Sequence, residues 1–434
     1  MKCMTNVDQI VKFGLCCGCG TCAGMCPSDA IAMTIADGGI YEPRVEEDKC
    51  TDCGLCLDCC PGHSVDFQGL CLEIFGKAPE NRNVGNFLKC YVGHSNSHEI
   101  RYDSSSGGMA TQLLIFALEK GMIDGALITR MAKGNPTKPD TFLARTKEDI
   151  IAASKSKYCP VAANEGLKKL LKENGRFAVV GLPCHIHGVR KAEKMSTALN
   201  KKIALRIGLL CSHMTSFEGM EFLLKKLGVE VGDVTEISYR GSGWPGSMTI
   251  HVRNGSVKTI PLFGSWKAYW PIYSSFFFTP FRCTMCPDQA AELADISLGD
   301  AWLPEFKSDK IGKSIIVSRT KRGDDLLQLA KSAHSISIKA IPVSKVEQSQ
   351  AVNMTFKKID LPNRLYLAGL FGRETPKFNV ELCSAKSVAS ILRSIFVYCG
   401  IKTSANRTLR SMLVRLPFPL FRVYYGIYKY LSRI

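Results

Sequence analysis

The order of apolar and polar positions changes character three times along the chain. Through residue 75 the apolar residues come in short bursts broken by glycine and cysteine, so neither a helical nor a strand period lasts. Residues 76–90, G-K-A-P-E-N-R-N-V-G-N-F-L-K-C, are polar and carry Gly and Pro, which predicts a linker. Beyond it, helices and strands alternate. The period over Met109–Lys120 predicts a helix behind a Ser/Gly turn, and the apolar run Gly125–Thr129 predicts a buried strand. Asn164–Asn174 reads as an amphipathic helix and Arg176–Gly181 as a strand; a second strand, Ile203–Leu210, follows after one more helix. Glu236–Arg240 and Ser247–Arg253 flank a glycine-rich turn, as the arms of a hairpin do. Residues 386–434 return to helical spacing, broken by Pro417 and Pro419. The pattern predicts an α/β core with an antiparallel addition and a helical tail.

Composition bounds this picture. At 434 residues the chain is long for one domain, since roughly 150 residues per domain implies two to four units. A hydrophobic fraction of 46% supplies ordinary globular cores. No window reaches about 18 uninterrupted apolar residues, and the first ten residues lack a charged lead before an apolar run. The expectation is a chain with neither a spanning helix nor a signal peptide. Charge is unevenly spread: residues 1–75 hold eleven acidic and four basic side chains, a balance of −7, whereas the whole chain carries +17. Beyond Glu381 no acidic residue occurs, while Lys386, Arg393, Lys402, Arg407, Arg410, Arg415, Arg422, Lys429 and Arg433 alternate with Leu, Ile, Phe and Tyr. Such a tail suits an anionic surface: a membrane, a nucleic acid or an acidic protein. A pair of solvated basic helices is the plain alternative.

Twenty cysteines in a chain this large, gathered in C-x2-C groups, predict metal ligation in a reducing compartment rather than a disulfide scaffold. Cys16-x2-Cys19-x2-Cys22-x3-Cys26-Pro27 recurs 34 residues on as Cys50-x2-Cys53-x2-Cys56-x3-Cys60-Pro61. In this bacterial ferredoxin spacing three thiolates hold one cubane and the fourth crosses to the other. Cys16, Cys19, Cys22 and Cys60 are thus expected to bind one [4Fe-4S] cluster, and Cys50, Cys53, Cys56 and Cys26 a second. Gly18, Gly20 and Gly54 let backbone approach the sulfurs. Structural zinc is the competitor, but it needs four ligands in two pairs, not an interlock of eight. Cys17 and Cys59 are left over and read as packing residues.

A further group lies downstream. Cys184 and Cys211 each end an apolar strand-like run; if the two strands are parallel neighbours, both thiols emerge at the carboxyl edge of the sheet. With Cys283-x2-Cys286-Pro287 they make a third four-cysteine site, a [4Fe-4S] cluster or its zinc competitor. Clusters pass single electrons whereas most organic substrates change by two, so an α/β body beside them suggests a flavin. Ser104, Ser105, Ser106, Gly107 and Gly108, directly before the helix from Met109, form a candidate phosphate cradle, with a plain N-cap as the simpler reading. Gly241-Ser-Gly243-Trp-Pro-Gly246 matches G-x-G-x-x-G, yet Pro245 interrupts it and a strand follows, so it reads as a hairpin loop.

Ser104–Gly108, Ser156-Lys157-Tyr158, Gly181-Leu-Pro-Cys-His-Ile-His187, Arg240-Gly-Ser-Gly-Trp-Pro-Gly246, and Cys283-x2-Cys286 with Ala294-Asp-Ile-Ser-Leu-Gly-Asp-Ala-Trp302 together resemble the beta subunit of coenzyme F420-reducing hydrogenase and F420H2 dehydrogenase. The resemblance spans roughly residues 1–340, the N-terminal region being similar to a fused two-cluster form. It implies FAD in the α/β body, iron–sulfur wiring, and exchange of electrons with coenzyme F420 or another partner. Carried residue by residue, it places flavin contacts on the serine–glycine turn, Lys157, Tyr158, Asp300 and Trp302, and the third cluster on Cys184, Cys211, Cys283 and Cys286. His185, His187 and His213 lie beside these cysteines; His185 and His213 are weak candidates for supplying a proton.

The expected organisation is α/β (α+β overall): a bacterial-type two-cluster ferredoxin domain at 1–75, a linker at 76–90, the two parts of a flavin-binding body at 91–165 and 166–350, and a helical basic tail at 351–434. The expected function is that of a cytoplasmic oxidoreductase partnered by a redox protein or a small electron carrier, its tail meeting the inner face of the membrane or an acidic partner. Two alternatives keep the cofactors: a ferredoxin-fed reductase of another metabolite, for example in polysaccharide biosynthesis, and a non-catalytic electron-transfer subunit. A zinc-bearing nucleic-acid binder is disfavoured, because the basic residues gather in a tail and the cysteines follow ferredoxin spacing.

Overall fold

The computed structural model describes residues 6–380 and 387–432; Glu381, Lys386 and Arg433 of the tail's charge pattern lie outside them. Eight strands form the central sheet: β1 Lys89–Ser95, β2 Gly125–Met131, β3 Pro139–Ala144, β4 Phe177–Gly181, β5 Ile203–Leu209, β6 Ile296–Asp300, β7 Ser314–Ser318 and β8 Ile336–Ile341. Their order across the sheet is β8-β1-β7-β6-β5-β4-β2-β3. The middle four, β2, β4, β5 and β6, are parallel, and antiparallel strands close both sides. The parallel strands are near-continuous apolar runs because helices cover both faces.

On one face lies the helix α1, Met109–Glu119, buried from Thr111 to Ala117 and packed with Leu326, Leu327 and Ala330 over the sheet. On the other, the helix α2, Pro183–Met195, presents Val189 and Ala192 to Leu127, Phe177 and Ile203. Strands Val234–Ser238, Ser247–Val252 and Val257–Pro261 form a separate antiparallel sheet, and the glycine-rich loop is the hairpin connection between the first two.

A charged knot ties α2 to the sheet. Arg206 on β5 is 1% exposed, and its Nε donates to Glu193 of α2 at 2.8 Å. Its backbone N–H donates to Asp295 at 2.8 Å, which also accepts from the Thr320 hydroxyl at 2.9 Å. Buried charges survive only when partnered in this way.

Two expected elements differ. Asn164–Asn174 is not one helix but a 3-10 turn, Ala163–Gly166, followed by Leu167–Lys172. The reason is that Asn164 is bonded elsewhere: its N–H donates to the Cys19 carbonyl at 2.9 Å, and its amide donates to Thr21 and to the His185 carbonyl, each at 2.8 Å. Among the described residues, 387–432 form three helices: α3 Val388–Ala405, α4 Arg407–Arg415 and α5 Phe418–Leu431. The first break falls at Asn406, whose side chain caps the Leu409 N–H at 3.0 Å, and only the second at the prolines. Residues 76–90 run closed against the body, since Arg319 donates to the carbonyls of Val84 and Asn86 at 2.7 Å.

The N-terminal region holds a hairpin, Ile31–Ile35 with Tyr41–Val45, and short helices at Thr21–Met25 and Leu55–Asp58. Helix Thr21–Met25 sits so close to Asn164 and α2 that a Cβ at Gly24 would overlap the Asn164 carbonyl, and one at Gly188 the Thr21 hydroxyl. Gly188→Ala should therefore destabilise the protein by about 1–3 kcal/mol through overpacking, against the ~1 kcal/mol that alanine gains in an exposed helix. Thermal unfolding under anaerobic conditions reads this directly: Tm falls, whereas a rise would show that the contact is loose.

Candidate functional site

The twelve candidate ligand cysteines form three sets. Cys50, Cys53, Cys56 and Cys26 line one cavity of the N-terminal region, and Cys16, Cys19, Cys22 and Cys60, with Cys17, line a second. Gly20 and Gly54, at φ 78° and 75°, start the helices that carry Cys22 and Cys56. Among the described residues no three His, Cys, Asp or Glu side chains converge on a single metal ion. Zinc would need four sulfurs about 2.3 Å from one point; four thiols spaced around a void instead fit a multi-atom cluster. Burial pushes Cys56 up to about 11 and raises Cys16 and Cys22 as well. As cluster ligands these thiols would be deprotonated, with the iron supplying the compensating charge.

The third set assembles at the carboxyl edge of the sheet. β4 and β5 are parallel neighbours; Cys184 stands on the first turn of α2 just after β4, and Cys211 two residues past β5. Cys283 comes from the 3-10 turn Phe281–Met285 and Cys286 follows it. At Cys184 a hydrogen bond with Cys17 lowers the thiol, but burial and the charges of Cys19, Cys211 and Cys286 together raise it above its ordinary value; the charges of Cys283 and Cys286 likewise raise Cys211. Burial carries Cys211 up to about 12, partly offset by the ammonium of Lys357. Lys357 is itself 2% exposed and donates to the Cys283 carbonyl at 3.2 Å. Lys357 left no signal in the sequence, because it lies more than seventy residues from the nearest of these thiols.

Cys17 joins the sets. Its thiol is within hydrogen-bond reach of Cys184 on one side and Cys19 on the other, and the contact with Cys184 is the chief cause of its raised pKa. The residue expected to be mere packing thus stands between the N-terminal region and the body. Cys59, fully buried, directs its thiol at the Cys56 carbonyl at 3.7 Å.

The histidines have other tasks. The Nδ1 of His185 accepts from the Leu182 N–H at 3.1 Å and its Nε2 donates to the Val161 carbonyl at 3.0 Å, which caps α2. His213 stacks on Tyr273 at 4.2 Å, with Nε2 donating to the Tyr273 carbonyl at 3.1 Å and Nδ1 beside the Ser212 hydroxyl. Burial lowers His185 to about 4 and His213 to about 3, so both stay neutral with both ring nitrogens engaged. His185 and His213, the two candidates for supplying a proton, thus have their ring nitrogens bonded within the protein. His187 bonds Asp288 at 2.7 Å; burial works against that carboxylate's charge, but His187 and Lys358 outweigh it and hold Asp288 at about 2.

The other predicted contacts converge across the end of β6 and β7. The Ser104–Gly108 turn is pinned there: Ser106 shares a hydrogen bond with the Ser314 hydroxyl at 2.8 Å, and the Gly107 N–H donates to it at 3.0 Å. Ser314 is the sheet partner of Asp300. The Ser105 hydroxyl accepts from the Ser156 N–H at 2.7 Å, bringing in the 156–158 loop. α1 begins at Gly108 without a side-chain cap, its start buried. A buried helix start whose first N–H groups lack intrahelical partners fits a phosphate.

Asp300 receives Arg240 through two bonds, 2.8 and 2.9 Å, and the Trp244 indole N–H at 2.7 Å. Trp244 packs on Trp302 at 4.6 Å, and Arg240 reaches toward the Tyr158 hydroxyl at 3.5 Å. The loop resembling G-x-G-x-x-G thereby belongs to the site, although no helix follows it. Lys157 turns away: its ammonium donates to the carbonyls of Ala153, Ser154 and Lys155, and burial lowers it to about 7. Tyr158 lies 5.4 Å from Tyr273, and Tyr273 covers His213, two residues from Cys211. The sequence pattern did not single out Ser314 or Tyr273; Arg240 and Trp244 stood within a quoted motif without a role.

A buried, uncapped helix start on an open α/β sheet, beside three thiol sets, suits an oxidoreductase. Two models of one family match here, those of the N-terminal part of the coenzyme F420 hydrogenase/dehydrogenase beta subunit, over residues 90–168, and of its C terminus, over residues 174–344. Together they take in more than half of the chain, which belongs to the coenzyme F420 hydrogenase/dehydrogenase beta subunit family. It is 27% identical to the coenzyme F420 hydrogenase subunit beta of Methanosarcina barkeri, over 57% of this chain and 80% of that protein. It is equally 27% identical to the coenzyme F420-dependent sulfite reductase of Methanocaldococcus jannaschii, over 77% of this chain but 49% of that protein, so it spans about half of that relative's length. A chain of the F420-reducing [NiFe] hydrogenase complex from Methanosarcina barkeri shares the fold, at TM-score 0.54 and 24% identity over 71% of this chain and 99% of that one.

Removing the Asp300 carboxylate strands a guanidinium that is 2% exposed. Asp300→Ala should cost about 3–5 kcal/mol, and Asp300→Asn, which keeps an acceptor for Trp244, distinctly less. Denaturant unfolding followed by tryptophan fluorescence measures both, and equal stabilities for Asp300→Ala and the wild type would remove the pair from this role.

Proposed function

We propose that the chain is an iron–sulfur flavoprotein that passes electrons between a two-electron carrier, coenzyme F420 or a similar molecule, and one-electron carriers. A bound flavin exchanges a hydride with such a carrier and single electrons with clusters. In this reading the start of α1 and the Ser104–Gly108 turn hold the flavin's phosphates, while Tyr158, Trp244 and Trp302 offer aromatic surface for its ring. The Arg240–Asp300 pair fixes those walls. The three thiol sets hold three [4Fe-4S] clusters, and the partner is a redox protein or a diffusible carrier.

The observation that supports it most is continuity. From the Asp300 corner, Tyr158, Tyr273 and His213 lead within 5.4 and 4.2 Å contacts to the neighbourhood of Cys211. From the same thiol set, Cys184, Cys17 and Cys19 lead into the N-terminal region. Along this line Cys19 is buried and Cys17, Cys184 and Cys211 are half-buried, and all four thiols are raised, which disfavours free-thiolate chemistry there.

Anaerobic purification with iron, sulfide and flavin counted per chain tests the composition: about 12 iron atoms are expected for three cubanes, and one flavin. About 8 would withdraw the cluster at Cys184. Mixing with F420H2, NADH, NADPH and reduced ferredoxin in turn then identifies the carrier, F420H2 being expected to bleach the flavin. Gly107→Ala tests the cradle, because its Cβ would stand 2.6 Å from the Gly93 carbonyl and 2.8 Å from the Ser314 nitrogen. Flavin content should fall about tenfold with iron unchanged; full flavin occupancy would place the flavin elsewhere.

A further inference from the structure

The tail helices already have their inner faces satisfied. α3 buries Phe396, Val397 and Tyr398 with Tyr428 of α5 against Phe276 and Phe356, and Leu413 of α4 and Phe421 of α5 join the core around Phe222 and Phe277. α3 is further anchored by Arg393, which is 5% exposed and donates to Asp360 twice, at 2.9 and 2.8 Å. Folding therefore does not require a second apolar face, yet each helix has one.

Val388, Ile391, Leu392 and Ile395 stand exposed along α3, Leu409 and Met412 along α4 with Leu416 just past its end, and Leu420, Val423, Ile427 and Tyr430 along α5. The spacings of three and four residues are those of helical stripes. Val388, Val423 and Tyr430 are 72%, 62% and 66% exposed, far from marginal burial. Exposed apolar residues in continuous stripes on three packed helices mark an interaction surface.

The charges say what covers it. Between residues 387 and 432 there is no carboxylate side chain, while Lys402, Arg407, Arg415, Arg422 and Lys429 are exposed. Arg410 pairs with Glu218 and Arg393 with Asp360, both outside the tail, so these two are spent on holding the helices. Arg422 lies over the exposed Trp266 ring at 4.7 Å, and Lys402 over the exposed Phe371 ring at 4.6 Å. A second copy docked on this face about a twofold axis would set cation against cation. An anionic bilayer accepts both components together, acyl boundary for the apolar stripes and headgroups for the cations, with aromatic side chains at the boundary. Among the described residues no helix is long and apolar enough to cross a membrane, so the contact is with one leaflet.

We propose that the outer face of α3, α4 and α5 lies in the interfacial layer of a membrane rich in anionic lipid. The surface stands independently of the redox reading. On its opposite, inner face α3 meets the neighbourhood of the third thiol set, since Tyr398 stacks on Phe281 at 5.2 Å, two residues from Cys283.

Flotation of the full-length, cofactor-loaded protein with phosphatidylcholine vesicles, and with vesicles containing about one third phosphatidylglycerol, tests the proposal. Each cation near the surface contributes about a fivefold factor. The wild type should float with the anionic vesicles, the double variant Arg407→Glu/Arg415→Glu at least tenfold less, and Val423→Asp/Ile427→Asp should not float. High salt should weaken wild-type binding, and flavin and iron contents should be unchanged in all variants. Equal flotation of wild type and both variants would overturn the proposal. So would no flotation of the wild type, whether because the face holds a second copy, seen as a dimer in light scattering that Val423→Asp/Ile427→Asp abolishes, or because only a soluble acidic protein binds it.

Discussion

One close approach positions the thiols: the short helix Thr21–Met25 lies against α2 with only the Thr21 hydroxyl and the Asn164 amide between them at Gly188. Glycine at 188 leaves room for the Thr21 hydroxyl and the Asn164 amide, glycine at 24 for the Asn164 carbonyl, and Asn164 fastens the joint by bonding Cys19, Thr21 and His185 at once. A hydrogen-bonded amide buried at such a seam is costly to displace, because its partners would be left unpaired. The seam fixes the segment that carries Cys17 and Cys19 against the first turn of α2, which carries Cys184. Lys191 of α2, donating to the carbonyls of Cys60 and Ser64, and Arg282, donating to those of Pro61 and Gly62, hold the second cysteine run against the body as well.

The sheet supplies the other half of the arrangement. Parallel neighbours β4 and β5 end side by side, so the residues that follow them, Cys184 and Cys211, share one edge. Across β6 and β7 the same edge ends in Asp300 and Ser314, which organise the Arg240 loop and the serine–glycine turn. Burial then gives these groups their character. It disfavours thiolate at Cys211 and cation at His213 alike, leaving Lys357 as a buried positive charge beside the cysteines. An environment of this kind holds charge poorly unless a bound group supplies the balance.

Much of this was legible in the sequence where the information is local. The crossed cysteine sets follow from spacing within eleven residues, and the strands before Cys184 and Cys211 from their unbroken apolar runs. The Ser/Gly turn was legible because a helix period starts directly after it. Other parts depend on distant partners and leave no local trace. The antiparallel strand β1 inserts between β7 and β8, more than two hundred residues away in sequence, which no period announces. Arg240 meets Asp300 sixty residues on, and Cys17 gains its place only because Cys184 comes to it. His185 looked reactive beside a cysteine, yet Leu182 and Val161 claim both its nitrogens. The tail's basic, apolar texture was plain from sequence, whereas which apolar residues face inward required the packing of Phe396, Leu413 and Phe421.

The central claim is that electrons pass between body and N-terminal region through the thiol set at the carboxyl edge of the sheet. Anaerobic stopped-flow reduction tests it, using the donor that bleaches the flavin and comparing the wild type with Cys184→Ala, with freeze-quenched EPR to tell the clusters apart. The account predicts that the flavin bleaches at the same rate in both proteins, while the N-terminal clusters are reduced promptly only in the wild type. Reduction of those clusters at the wild-type rate in Cys184→Ala would contradict it.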